Sequence, residues 1–258
     1  IQYYKVTVEH LLSHIETSVR KITTEEIRTY LAEYQKNNKC SNVTVDNIRR
    51  NISSFFSWLE EEDYILKSPM KRIHKIKTKT VIKSVITDEG IEQLRDNCKE
   101  IRDLAIIDLL YSTGIRVGEL VNLNVDDIDL EGRECIVYGK GDKERRVYFD
   151  AKAKVHLKKY IDHRKDNNSA LFVTLDAPHD RLKISGVEIR LRELGRRIDL
   201  ERIHPHKFRR TMATRAIDKG MPIEQVQKIL GHSQIDTTMQ YAMVNQNNVK
   251  TSHQKFMS

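Results

Sequence analysis

Apolar residues recur every three or four positions through the first part of the chain. Ile27, Leu31 and Tyr34 form one stripe, and Val45, Ile48, Ile52, Phe55, Phe56 and Leu59 form another. A period near 3.6 predicts amphipathic helices, which bury such stripes by packing as a small bundle. Thr23-Thr24-Glu25-Glu26 stands just ahead of the first stripe. It is a capping-box pattern, in which a hydroxyl and a carboxylate satisfy the free N–H groups of a helix start. The acidic run Glu60-Glu61-Glu62-Asp63 reads as the solvated end of a helix.

Between Ser68 and Lys83 the pattern breaks. Lys71, Arg72, Lys75, Lys77, Lys79 and Lys83 accumulate without an acidic residue, and Pro69 disfavours a helix through its start. A basic segment between two patterned regions predicts a linker, either a solvated connector or a strap that crosses a phosphate backbone. The expected organisation is a helical domain over 1–70, a basic linker over 71–85 and a second domain over 86–258. In the second domain Thr87 caps a predicted helix through Ile91 and Leu94, and Gly114 ends another built on Leu104, Ile107, Leu109 and Leu110. Glu134-Cys135-Ile136-Val137-Tyr138 and Arg145-Arg146-Val147-Tyr148-Phe149 then flank Gly139-Lys140-Gly141-Asp142-Lys143, as expected of a β-hairpin with glycines at its turn. Helical patterns return over 151–164, 185–199, 206–219 and 222–230, with a short strand expected at Leu171-Phe172-Val173. The predicted fold class is mainly α with a small β-sheet (α+β).

Charge adds a partner to this picture. Lys+Arg 45 against Asp+Glu 37 gives a formal net charge of +8, which favours a polyanion, with nucleic acid ahead of an anionic membrane. No apolar run is long enough to span a bilayer, and Ile1-Gln2-Tyr3-Tyr4 does not open a signal peptide, so a soluble cytoplasmic protein is expected. The start at Ile1 rather than Met is what a trimmed chain would show. Cys40, Cys98 and Cys135 lack C-x-x-C spacing and read as reduced packing residues.

The chemistry clusters near the end of the chain. His206 and Arg209 stand at i and i+3 after Pro205, His232 follows Gly231 at a helix stop, and Tyr241 follows Thr237-Thr238. With Arg116 and Lys140 upstream, these groups match the needs of phosphodiester attack: cations to neutralise the phosphate oxygens, proton carriers and a nucleophile. Arg116 could hold two phosphate oxygens from a helix start, or pair with Glu119 or Asp126. Lys140, between two glycines, could protonate a leaving alkoxide or simply be solvated. Tyr241 is a nucleophile if neighbours stabilise its phenolate, and otherwise one of ten tyrosines packed at a helix end. A phosphotyrosine diester keeps the free energy of the broken bond, which suits the absence of a P-loop. Zinc at His204, His206 and His232 is disfavoured, because the first two are not at an i, i+4 spacing. Asp126, Asp127 and Asp129 cluster in a turn and read as structural rather than as a two-metal nuclease site. No metal and no cofactor is expected.

The order Arg116, Lys140, His206-x-x-Arg209, His232, Tyr241 resembles the tyrosine recombinase (phage integrase) family, most closely its Xer-type recombinases and the integrases of mobile elements. The match runs through Thr113-Gly114-Ile115-Arg116 with Glu119-Leu120, Gly139-Lys140-Gly141 with Lys143-Glu144-Arg145, Pro205-His206 to Arg209, and Leu230-Gly231-His232-Ser233 with Thr237-Thr238 and Tyr241. The resemblance implies an N-terminal helical core-binding domain and a catalytic domain. It implies that Arg116 and Arg209 clamp the scissile phosphate, Lys140 acts as general acid to the 5′-hydroxyl, His206 and His232 assist proton transfer, Tyr241 forms a 3′-phosphotyrosyl link and Glu119 positions Arg116. It further implies double-stranded DNA recombination sites as partner, a homo-tetramer in the synapse, a Holliday junction, accessory DNA-bending proteins, a nucleoid-associated location and a C-terminal tail, 242–258, that docks on a neighbouring protomer. Lys71, Arg72, Lys75, Lys77, Lys79, Lys143, Arg145, Arg146 and Arg210 are expected on DNA, Arg210 standing where many relatives have a histidine. Two rivals are a type IB topoisomerase-like relaxing enzyme and an inactive DNA-binding regulator of the same fold.

Overall fold

The computed structural model describes residues 2–78, 84–139, 144–200 and 202–242. The chain divides into two compact units, Ile1–Val81 and Ile82–Ser258. The first is helical. α1 (Gln2–His14), α2 (Thr24–Asn38) and α3 (Asn42–Glu61) bury Leu11, Ile27, Tyr30, Leu31, Val45, Ile48, Ile52 and Phe56 in one cluster. Thr23 caps α2 as its spacing predicted: its hydroxyl accepts from the Glu26 N–H, and the Glu26 carboxylate accepts from the Thr23 N–H at 2.7 Å.

The start of the expected linker is folded rather than free. Pro69 opens a 3₁₀ turn, Pro69–Arg72, because a proline costs nothing where a helix has no N–H partner and Ser68 caps the turn. Ile73 and Ile76 then pack on the helical cluster, and the Ile76 N–H donates to the Asp46 carboxylate at 3.0 Å. Glu60, expected to be merely solvated, accepts an ion pair from Lys71.

The second unit is built around α5 (Ile101–Thr113), whose Ala105, Ile106, Ile107, Leu109 and Leu110 are all buried. Helices α4 (Asp88–Asp96), α7 (Ala151–His163) and α9 (Pro205–Asp218) pack on it. Its buried acids are paired in place: Asp103 with Arg102 and Arg190, and Asp108 with Arg95, while His156 Nδ1 lies within hydrogen-bond reach of Asp108. α6 (Val117–Asn122), α8 (Ile184–Arg197), α10 (Ile223–Leu230) and α11 (Asp236–Ala242) complete the helices described.

Three antiparallel strands, β1 (Ile128–Asp129), β2 (Glu134–Tyr138) and β3 (Glu144–Tyr148), lie in the order β1-β2-β3. β2 and β3 form the expected hairpin, with Cys135 opposite Val147 and both buried. The strand expected at Leu171-Phe172-Val173 is instead a buried irregular segment: Ala170 and Val173 each make only an isolated bridge, to Asn124 and Arg181. Asp127 and Asp129 accept backbone N–H bonds from Asn124 and Gly132, the structural role their turn implied.

Candidate active site

Three arginines distant in sequence meet where α10 ends. The last carbonyls of a helix have no partner within it and carry the negative end of its dipole, so they attract cations. Here three guanidiniums take three consecutive carbonyls. Arg145 Nε donates to Ile229 at 3.0 Å, Arg209 Nη2 to Leu230 at 2.5 Å and Arg116 Nη2 to Gly231 at 3.0 Å. Gly231 closes the helix in the left-handed conformation, φ 64°, which turns its carbonyl toward Arg116. Gly114 does the same for α5, and its carbonyl accepts from Arg209 Nη1 at 2.7 Å.

Glu119 holds the opposite side. Its carboxylate accepts from the Arg116 N–H at 2.7 Å and Arg116 Nη1 at 2.9 Å, and from Arg145 Nη1 and Nη2 at 2.6 and 2.7 Å. Burial alone would raise this carboxyl, but the Arg145 and Arg116 bonds outweigh it and hold it below the ordinary carboxylate range. One carboxylate against three guanidiniums leaves the cluster with surplus positive charge. Its effect is visible on Arg209, which is buried: burial first, and then Arg116, bring its guanidinium down to about 10.

His232 follows Gly231 directly. Its Nδ1 lies 2.8 Å from the buried Thr238 hydroxyl, and its ring stacks on Tyr241 with centroids 6.2 Å apart. Burial, then Arg209, Arg116 and Arg145, pull the imidazole down to about 4. It is therefore neutral near pH 7 and able to accept a proton once an anion joins the cluster. His206, whose ring is only partly covered, is also lowered, by burial and then by Arg209, Arg116 and Arg210. Such a site offers an anion two anchored guanidiniums, two neutral imidazoles and a phenol.

Residues 84–248 match the phage integrase family, and residues 1–66 match the phage integrase N-terminal SAM-like domain. The chain belongs to the phage integrase family. This recombinase is 32% identical to tyrosine recombinase XerC of Leptospira interrogans over 93% of its own length and 80% of the relative's. It is 28% identical to XerC of Oceanobacillus iheyensis over 99% of its length and 88% of the relative's. It covers 90% of the crystallised XerA recombinase with 99% of its own chain, at 26% identity and a TM-score of 0.62. The Tn1549 transposon integrase, solved in complex with transposon right-end DNA, shares the fold at a TM-score of 0.81 and 19% identity, over 99% of this chain and 94% of that one. The chain is a tyrosine-type site-specific DNA recombinase, and its relatives do not favour the relaxing enzyme or the inactive regulator.

Within this recombinase, Arg116, Glu119, Arg209, His232 and Tyr241 are brought together, with His206 close to both arginines. Lys140, Lys143 and Lys79 lie outside the described residues, as does the tail beyond Ala242. Lys75 and Lys77 are exposed, Lys71 pairs with Glu60, and the Arg72 carbonyl accepts from Arg28. Arg146 is exposed and paired with Glu134 at 2.6 Å. Arg145, expected on DNA, faces inward on Glu119 and Ile229 with its side chain only 13% exposed. Arg210 is half-buried, its Nε without a hydrogen-bond partner among the described residues, and burial lowers its guanidinium. Thr238, which sequence reading placed only within a motif, fixes the His232 ring.

No set of three or more His, Cys, Asp or Glu side chains among the described residues is arranged to hold a metal ion. No helix among the described residues is long and apolar enough to cross a membrane.

Proposed function

We propose that this recombinase cuts and rejoins DNA at specific sites by passing a strand through Tyr241. The scissile phosphate sits against Arg116 and Arg209, whose guanidiniums neutralise the charge that builds on the non-bridging oxygens as a nucleophile arrives in line. The Tyr241 hydroxyl loses its proton to a neutral histidine, His232 or His206, and bonds to phosphorus. The bond from phosphorus to the 5′-oxygen breaks, and that oxygen takes a proton from Lys140. The product is a 3′-phosphotyrosyl ester with a free 5′-hydroxyl. Attack by the 5′-hydroxyl of a partner strand reverses every step without a cofactor.

One observation carries this reading: three guanidiniums converge on the end of α10, and the next residue, His232, stacks on the only phenol in the cluster described. Paired exchanges through a Holliday junction require four active sites on two DNA duplexes, hence a homo-tetramer, with accessory DNA-bending proteins where a site must be folded. The natural setting is the bacterial nucleoid. Residues 1–70 form the core-binding domain, 71–85 the basic strap and 86–258 the catalytic domain, with 242–258 reaching a neighbouring protomer. Lys71, Arg72, Lys75, Lys77, Lys79, Lys143, Arg146 and Arg210 supply the phosphate contacts.

The test is a nicked suicide substrate that traps the covalent adduct. Tyr241→Phe keeps DNA affinity and forms no adduct. A normal adduct yield in this variant removes Tyr241 from the nucleophile role.

A further inference from the structure

We propose that Arg145 is a positioning residue for Arg116, acting through the carboxylate and the helix end that the two share. The inference rests on the proposed phosphate role of Arg116. Glu119 Oε1 is divided between Arg145 Nη1 at 2.6 Å and Arg116 Nη1 at 2.9 Å, while Glu119 Oε2 takes Arg145 Nη2 at 2.7 Å. The third nitrogen of Arg145 and the outer nitrogen of Arg116 hold carbonyls two residues apart, Ile229 and Gly231. The four groups close a ring: Arg116 to Glu119, Glu119 to Arg145, Arg145 to the end of α10, and that end back to Arg116.

The backbone is shaped to admit this ring. A Cβ on Gly231 would stand 3.0 Å from Arg145 Cδ and Nε and 3.2 Å from Cζ, so the Arg145 side chain passes close against the residue that precedes His232. A side chain there would require the Arg145 side chain to give way slightly, at a φ that already disfavours one.

The ring also divides labour by charge. A buried carboxylate must be neutralised, and a guanidinium meets it best with two parallel bonds. Arg145 supplies that bidentate pair. Arg116 is thereby left with a single side-chain bond to Glu119 and a 38% exposed side chain that can turn its charge toward phosphate. Without Arg145, the uncompensated carboxylate draws Arg116 inward into the bidentate pair, away from the phosphate. A lysine at 145 keeps the charge and loses the fork.

Single-turnover cleavage of the nicked suicide substrate at saturating DNA tests this in a double-mutant cycle, with thermal melts of each protein alongside. Arg145→Ala lowers the cleavage rate on the order of 100-fold, the cost of a slightly misplaced group. It leaves the DNA Kd and its salt slope near wild type. Arg145→Lys recovers part of the rate. In an Arg116→Lys background the Arg145→Ala change adds little, because its effect passes through Arg116. Full additivity in that cycle overturns the proposal. So does a loss of affinity and salt slope with cleavage intact at saturation, which marks a DNA contact. If Arg145→Ala fails to fold, Arg145→Lys carries the cycle, with the same two outcomes deciding. Failure of the underlying reading is distinct: Arg116→Lys alone then cleaves at the wild-type rate.

Discussion

His232 is the side chain most exposed to the consequences of this charge cluster. Its imidazole titrates near 4 in the folded chain against an ordinary value of 6.5, through burial and three nearby guanidiniums. Between those values the unfolded chain binds a proton that the folded chain does not, so stability of the DNA-free protein falls as pH drops through this window and is unaffected by His232 above it. His204 and His206 are lowered too and add to the slope in the same direction. Urea midpoints at about pH 5.5 and about pH 7 measure it: His232→Asn loses less stability on acidification than wild type. An equal loss in both proteins assigns the slope to other groups. The meeting of Arg116, Arg209, His232 and Tyr241 was legible, because with His206 they occur in an order that few other sites share. The inward setting of Arg145 was hidden by its basic neighbours. The signal was nonetheless present: period-two alternation along β3 puts Arg145 on the same face as buried Val147, and Arg146 on the other.

Helix ends, more than helices, organise this site, and two glycines make them. Gly114 has φ 62°, where an L side chain costs about 1 to 2 kcal/mol, and a Cβ there would lie 2.4 Å from Met212 Cε and 3.3 Å from Leu230 Cδ2. Met212 can move, so the backbone term dominates. Gly114→Ala therefore loses about 1 to 2 kcal/mol in urea unfolding, and cleavage falls further than stability because the Gly114 carbonyl anchors Arg209. A variant as stable and as active as wild type shows that the turn tolerates a side chain. Elements with a cap and a long apolar stripe, such as α2 under Thr23 and α5 up to Gly114, were readable from local pattern. Residues 171–173 misled because a buried apolar run satisfies a strand pattern while its hydrogen bonds go elsewhere: Leu171 and Val173 donate to the Leu123 carbonyl and the Tyr160 hydroxyl. Two-residue β1 is too short to leave a period at all.

At the scale of the molecule, the +8 charge acts through where it is fastened. A lysine on a slack connector loses conformational freedom when it binds phosphate, whereas one carried by a docked backbone has lost it already. The basic segment begins docked: Ile73 and Ile76 sit on the helical cluster, Asp46 accepts the Ile76 N–H, and Asn42 donates to the Lys77 carbonyl at 3.3 Å. Sequence showed the charge of this strap but not its anchorage, because the anchoring isoleucines alternate with lysines and histidine in a way that reads as polar. Lys75 and Lys77 are held outward and exposed, as binding to phosphate requires. Removing one lysine from a phosphate lowers the slope of log affinity against log salt by about 0.9. Lys75→Gln with Lys77→Gln therefore flattens that slope by about 1.8, equally on specific and nonspecific DNA, while cleavage at saturating DNA is unchanged. Because the anchorage uses backbone atoms and isoleucines, neither substitution disturbs the docking, and a shift in thermal stability is not expected. An unchanged salt slope shows that these lysines never reach phosphate, and the strap is then only a tether between the two units.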